Sequence, residues 1–318
     1  MLVEVLLLLV GFAILIKGAD FLVNGSSSIA KKFGISNIAI GLTVVAFGTS
    51  TPELVVSVIS GLEGKNDASF GNIIGSNNFN LLFILGVAGL VYPLSVLRNT
   101  IKYEVPLSLL AAVVLFVLVN DQIIYGSDVS ALTRADAILL LIFFAAFMFY
   151  VVRTMKSELP DDGAIKLYKT PLAIGMVVLG LLLLIGGGTL VVENAVAIAH
   201  RYGLSEKLIG LTILAAGTSL PELATSAVAA YRKNTDIAIG NVVGSNIFNI
   251  FFILGLTGVI NPMEFSTSMN FDLYVLGIGT LVLMIFMFTI NKRKLDRWEA
   301  ALLLAGYIAY TLYLVSID

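Results

Sequence analysis

The sequence predicts an all-α integral membrane protein: ten transmembrane helices in two inverted-topology five-helix repeats, with broken helices 2 and 7. Three observations predict it. The 318 residues are 58% hydrophobic and only 13% charged, against about 25% charged in soluble domains, which excludes a water-soluble fold around one core. Apolar runs long enough to span a bilayer, about 20 residues, recur near 2–23, 37–62, 69–92, 103–120, 134–152, 171–199, 206–231, 236–261, 271–290 and 298–316. Finally, a slide of 169 positions lays the second half of the chain over the first.

Each element has its own signal. The first run carries Glu4 in place of a basic leader and exceeds a signal-peptide core, so it reads as a retained helix. The second contains "GTSTPEL", Gly48 to Leu54, which sets Pro52 and Glu53 in the middle of an apolar stretch. The third contains "GNIIGSNNFN", where Asn72, Ser76 and Asn80 recur every four residues as one polar stripe. After the fourth and fifth runs comes the most polar connection, "RTMKSELPDDGAIKLYK", Arg153 to Lys169. It divides a first repeat, 1–152, from a second, 171–318, through a short linker at 153–170. The seventh run then contains "GTSLPEL" with Pro221 and Glu222, and the eighth "GNVVGSNIFN" with Asn241, Ser245 and Asn249. Between 34–93 and 203–262 about 28 of 60 positions are identical. Five helices per repeat is an odd number, so the second repeat enters the membrane from the opposite side. Inverted repeats with matched Gly/Pro interruptions point to a transporter with its site near the midplane.

Charge sets orientation and excludes other classes. Fourteen of the nineteen basic residues, from Lys31 and Lys32 through Arg153 to Arg297, fall in connections on one side; Lys65, Arg134, Arg201 and Lys207 fall on the other. The basic side is expected to face the cytoplasm, with both termini outside. A net charge of −2 and no long basic run argue against nucleic acid as a partner. With no cysteine, disulfides and thiolate chemistry are excluded, and the single histidine, His200, sits at a helix end.

The interruptions carry the chemistry. Pro52 and Pro221 lack an N–H, so carbonyls near Ala46–Gly48 and Ala215–Gly217 are expected to lose helical partners. Such carbonyls are tolerated at membrane depth only where they line a polar cavity. Thr49 and Ser50 stand four and three residues before Glu53, and Thr218 and Ser219 likewise before Glu222. Each break therefore gathers carboxylate, hydroxyl and carbonyl oxygens. Interhelical hydrogen bonding is an equally good reading of Asn72 and Asn241. An intramembrane carboxylate is a functional candidate by default, and here it occurs twice in one register. Two carboxylates match the charge of one Ca²⁺, which prefers six to eight oxygen ligands; the same oxygens, divided among positions, suit Na⁺. Composition does not choose between these ions.

The paired "GTSTPEL" and "GTSLPEL", each followed by "GNIIGSNNFN" or "GNVVGSNIFN", resemble the two alpha repeats of the cation/calcium exchanger superfamily, and most closely its prokaryotic sodium/calcium exchangers. The resemblance implies sodium-driven calcium antiport by alternating access, with no cofactor and no obligatory protein partner. It implies that Glu53, Glu222, Asn80 and Asn249 form the centre. Thr49, Ser50, Thr218, Ser219, Ser76, Ser245 and the carbonyls of Ala46 and Ala215 would form the flanking sodium positions. It further implies that the first and sixth helices slide past the rest, for which the glycines at 11, 18, 25, 180 and 186–188 would provide a smooth surface; flexible packing explains these glycines equally well. Thr51 and Asn78 depart from the pattern outside the implied ligand set. Asn249, where potassium-dependent relatives place Asp, argues against potassium co-transport.

Proton-coupled calcium exchange is the nearest alternative, since an intramembrane Glu carries a proton as readily as a cation. A channel fits an internal inverted repeat poorly. A hydrolase using Ser50 or Ser219 lacks a nearby histidine or lysine base.

Overall fold

The computed structural model describes residues 2–154, 166–202, 215–289 and 292–317. Its helices are α1 (Leu2–Phe33), α2 (Asn37–Thr49), α3 (Thr51–Leu62), α4 (Asn66–Val91), α5 (Thr100–Val119) and α6 (Arg134–Thr154). There follow α7 (Thr170–Arg201), α8 (Leu220–Tyr231), α9 (Thr235–Ile260), α10 (Thr267–Phe286) and α11 (Arg297–Ile317). Among the described residues eight helices are long and apolar enough to cross a membrane, and α2 with α3, bent by 49°, supplies a ninth span. The seventh expected span, 206–231, lies partly outside the described residues; its visible parts are Ala215–Gly217 and α8.

One element runs well beyond its apolar stretch. The first run was expected to stop near residue 23, yet α1 continues through the polar "NGSSS" to Phe33. Tertiary bonding explains the extension, because Ser26, Ser27 and Ser28 are buried. Ser27 accepts from the Asn234 amide at 2.9 Å, and Ser28 accepts from the Tyr168 N–H at 2.9 Å. At 1.5 Å per residue a 32-residue helix is about 48 Å long, more than the hydrocarbon thickness of about 30 Å.

The most apolar helices are not the innermost. In α4 and α9, 78% and 94% of the apolar stretch is buried, against 39% or less in every other long helix. These two, with α2, α3 and α8, form the centre. The last helix of each half packs on the other half's central helix: α6 on the end of α9, and α11 on the end of α4. Small residues allow this approach. A Cβ on Gly255 or Gly258 would meet Leu141 or Ala137, and one on Gly86 or Gly89 would meet Leu304 or Ala300. Two short antiparallel pairings repeat the crossover: Leu94–Ser95 pairs with Lys294–Leu295, and Ala131–Leu132 with Met263–Glu264.

α1 and α7 lie against each other along much of their length. The glycines expected to smooth a surface toward the bundle instead face between these two helices. A Cβ on Gly18 would stand 2.9 Å from the Gly180 carbonyl, one on Gly187 2.9 Å from the Leu15 nitrogen, and one on Gly25 2.8 Å from the Ala173 carbonyl. Gly186 meets nothing within 4 Å, and Gly188 has only loose contact. Five of the seven therefore join α1 to α7, which makes the pair one unit. Gly18→Ala and Gly180→Ala are expected to lower the thermal unfolding midpoint in detergent, since forcing a methyl into a closed contact costs about 1–3 kcal/mol. Gly186→Ala, which meets no neighbour, is expected to leave the midpoint unchanged or raise it through helix propensity.

Candidate functional site

The two proline segments end and restart their helices at the same point. Ser50 (φ −81°, ψ 10°) separates α2 from α3, and Ser219 (φ −90°, ψ 8°) precedes α8, with Pro52 and Pro221 in the following first turns. Proline is tolerated there because those N–H groups have no helical partner to lose. The break falls after the Ala46 carbonyl, which keeps the Ser50 N–H at 3.0 Å and accepts the Thr49 hydroxyl at 3.3 Å. The expectation that Ala46 is a freed carbonyl is therefore corrected: the turn Ala46–Ser50 closes normally. Thr51, which had no assigned part, donates to the Phe47 carbonyl at 3.2 Å. Ala215 opens a short helical turn, Ala215–Gly217, and its side chain lies outside what is described.

Beyond each break a glutamate points into the bundle, and both are fully buried. Each is bonded across the pseudo-symmetry. Ser219 donates to Glu53 Oε1 at 2.8 Å, and Ser50 donates to Glu222 Oε1 at 2.8 Å. Within each half, Ser76 and Ser245 reach the same oxygens of Glu53 and Glu222 at 3.4 Å. The second carboxylate oxygens, Oε2 of Glu53 and of Glu222, are buried without a partner.

The deep asparagines are held by two residues whose part was not foreseen. Asn80 donates to Asn246 Oδ1 at 3.1 Å, and Asn249 donates to Asn77 Oδ1 at 2.9 Å. Asn77 and Asn246 in turn donate to each other's backbone carbonyls at 3.2 and 3.3 Å. With their nitrogens so engaged, Asn80 and Asn249 leave their Oδ1 atoms buried and unpartnered. Both lie in wide π turns, Phe79–Ile84 and Phe248–Leu254, a distortion that recurs at functional sites. Asn77 and Asn246 were visible only as matched positions in the two "GSN" stretches.

The outer asparagines brace the breaks. Asn72 donates to the Glu53 carbonyl (3.2 Å) and Ser57 Oγ (2.9 Å) while accepting from Thr218 (3.3 Å). Asn241 donates to the Glu222 carbonyl (3.3 Å) and Ser226 Oγ (2.9 Å) while accepting from Thr49 (3.0 Å). Their amides are thus spent on packing bonds, and Ser57 and Ser226 are further members that sequence did not single out. Asn78 belongs elsewhere, donating to the Asp272 carbonyl on α10 at 3.0 Å.

In sum, four buried oxygens from Glu53, Glu222, Asn80 and Asn249 lack a hydrogen bond. Burying such acceptors unsatisfied is costly, and an all-oxygen set suits a hard cation. No described cluster of three or more His, Asp or Glu side chains competes with it as a metal site. The symmetry breaks at one end. A cavity of about 850 Å³, bordered by Pro52, Asn72, Thr218, Pro221 and Glu193, opens beside the site. Asn72 and Thr218 are half-buried there, whereas Thr49 and Asn241 are at most 1% exposed.

The chain matches the sodium/calcium exchanger protein family over residues 3–153 and 172–316. It is 32% identical to the sodium/calcium exchanger MaX1 of Methanosarcina acetivorans over 99% of both chains. It is 37% identical to the inner membrane protein YrbG of Escherichia coli, over 83% of this chain and 82% of that one. The solved structure of the sodium-calcium exchanger NCX_Mj, soaked with zero Na⁺ and Ca²⁺, aligns with a TM-score of 0.83 at 32% identity, covering 98% and 99% of the two chains.

Asn77→Ala and Asn246→Ala each strip a partner from a buried amide. Each is expected to destabilise the protein by about 1–3 kcal/mol, read as a lower unfolding midpoint. Each is also expected to weaken calcium binding, since the opposing Asn249 or Asn80 amide then turns freely.

Proposed function

The chain belongs to the sodium/calcium exchanger protein family, and from that premise we propose that it exchanges sodium ions for calcium across the membrane by alternating access. The observation that carries the proposal is the convergence of four buried, unpartnered oxygens from two symmetry-matched breaks. Glu53 and Glu222 supply a charge of −2 and Asn80 and Asn249 two neutral oxygens, a set matched to one Ca²⁺. Sodium ions would take the same carboxylates together with Ser50, Ser76, Ser219 and Ser245, with the Thr49, Thr218 and Ala215 oxygens at the flanks. Because both ions need the same carboxylates, they exclude one another. An ion-free pair of glutamates would expose an uncompensated buried charge during any switch of access, which favours exchange over leak.

The ten-helix inverted arrangement is part of the proposal. It is supported by the two segments of the family match, 3–153 and 172–316, and by hydrogen bonds that repeat at a spacing of 169 residues. The repeats would span 1–152 and 171–318, with the 153–170 linker in the cytoplasm and both termini outside. In that orientation the large cavity opens outward, because it follows the start of α4 and the end of α7. α1 and α7, joined through their glycines, are the moving unit.

Glu53→Gln and Glu222→Gln are each expected to abolish sodium-gradient-driven uptake of radioactive calcium into vesicles, while the folded protein is still recovered. Near-normal flux in either variant would overturn the assignment. The same assay decides the coupling ion. Uptake driven by a sodium gradient with a proton ionophore present is the expected result, and uphill calcium movement under a pH gradient without sodium would replace it with proton coupling.

Orientation has a separate test. The chain has no cysteine, so a single introduced one is a clean probe. Ser95→Cys, on the basic side, is expected to label from the cytoplasm, and Ser268→Cys from outside; both positions are exposed.

A further inference from the structure

The contact of α1 with α8 and that of α7 with α3 are equivalent under the 169-residue repeat, yet only the first is made. α1 lies along α8, whereas among the described residues α7 makes little contact with α3. The large cavity occupies the second interface, bordered by Val55 and Val56 of α3 and by Thr189 and Val192 of α7. Val56 is 38% exposed there, while Thr225, its repeat partner on α8, is fully buried. The Thr225 hydroxyl is buried without a hydrogen bond among the described residues. That is a costly state, which water would relieve if the interface parted.

Two polar contacts pin the closed interface. Arg232, just past the end of α8, forms an ion pair with Asp20 of α1. Asn234 donates to Ser27 Oγ at 2.9 Å. α8 ends in a left-handed turn at Lys233 (φ 62°), a conformation unfavourable for a residue with a Cβ, and the turn sets Asn234 against α1. The ion pair is partly shielded from solvent, with 22% of the Asp20 side chain and 42% of the Arg232 side chain exposed.

The open interface lacks the side chains for either contact. The repeat partners of Asp20 and Arg232 are Thr189 and Glu63, and those of Ser27 and Asn234 are Val196 and Lys65. Thr189 has no charge to offer Glu63, which pairs instead with Lys65 at 2.7 Å. Val196 has no group that accepts a hydrogen bond. The glycines at 11 and 180, and at 18 and 187, share the same spacing, so these partners follow the register in which α1 and α7 pack. Two matched repeats can close either interface, but only one interface carries the groups that hold it.

Resting on the reading of α1 and α7 as the moving unit of an exchanger, we propose that Asp20 and Arg232, assisted by Ser27 and Asn234, form a latch on the basic-loop face. The latch holds α1 against α8 and biases the resting protein toward the state whose cavity opens on the opposite face. Switching access requires the ion pair to separate while α7 closes on α3. Neither Asp20 nor Arg232 belongs to the ion site, so the pair sets the balance between the two states without binding an ion.

The test uses the full chain, which has no cysteine, with Thr225→Cys as reporter, in sealed proteoliposomes sorted by orientation. A membrane-impermeant thiol reagent is applied from the basic-loop side in choline chloride. Labelling is expected to be slow in the parent and about two- to fivefold faster with Asp20→Asn or Arg232→Gln, the factor that a partly exposed ion pair supplies. The charge-exchanged double variant, Asp20→Arg with Arg232→Asp, should return the rate toward the parent's. Glu4→Gln, which removes a carboxylate paired with Arg201 inside the α1–α7 unit, should leave it unchanged. The proposal is overturned if neither neutralisation raises the rate, if the exchanged pair does not restore it, or if Glu4→Gln raises it equally. It is also overturned if the reporter is labelled in no variant, since the face would then never open. Should the neutralised variants not fold, Ser27→Ala carries the test: it removes only a hydroxyl and is expected to raise the rate by a smaller factor, and an unmoved rate overturns the latch. Failure of the exchange reading is distinguishable, since it would appear as calcium uptake persisting in Glu53→Gln, whatever the labelling.

Discussion

Two carboxylates buried within one membrane-embedded bundle are the constraint around which this protein is arranged. Lipid offers them no solvation, and no basic side chain among the described residues is bonded to either. The fold supplies oriented hydroxyls, with Ser219 serving Glu53 and Ser50 serving Glu222. Each bond satisfies one oxygen and leaves the other free. That partial satisfaction is what the proposed cation site requires and a packing network does not. A network complete in itself would have no reason to take up an ion, and one with no bonds would not hold the carboxylates in place.

The crossed pattern also explains why the breaks are needed. Unbroken helices would keep the Ser50 and Ser219 side chains on their own helical surfaces. Leaving the helix at those residues turns each hydroxyl toward the opposite half. The free ends are then braced by Asn72 and Asn241, whose amides bind the backbone of the glutamate they follow. Around this centre the outer helices are exchanged between halves, α6 to α9 and α11 to α4. Neither half is thus a self-contained body, whereas α1 and α7 bond chiefly to each other. The packing units of the molecule therefore do not fall at the sequence repeat boundary, and the unit proposed to move takes one helix from each half.

Local chemistry determined much in advance. Among the described residues, hydrophobic run length located the helices to within a few residues except at the end of α1, and proline lies just past the break at Ser50. The matched register identified Glu53, Glu222, Asn80 and Asn249 together, because a costly residue repeated at one spacing leaves few explanations. The end of α1 escaped this reading because the burial of Ser26–Ser28 depends on partners at Tyr168 and Asn234, far away in sequence.

What only the tertiary structure decided was direction. Sequence spacing treats Asn72, Ser76 and Asn80 as one stripe, but the π turn at Phe79–Ile84 rotates the last of them, and the Asn77–Asn246 exchange sets which atom of each deep amide faces inward. Periodicity assumes a regular helix and cannot register such a turn. Likewise a glycine in an apolar run does not state which neighbour approaches it; the contact between α1 and α7 does. Residue identity fixed which oxygens were available at membrane depth, and long-range packing fixed which of them remained unpaired.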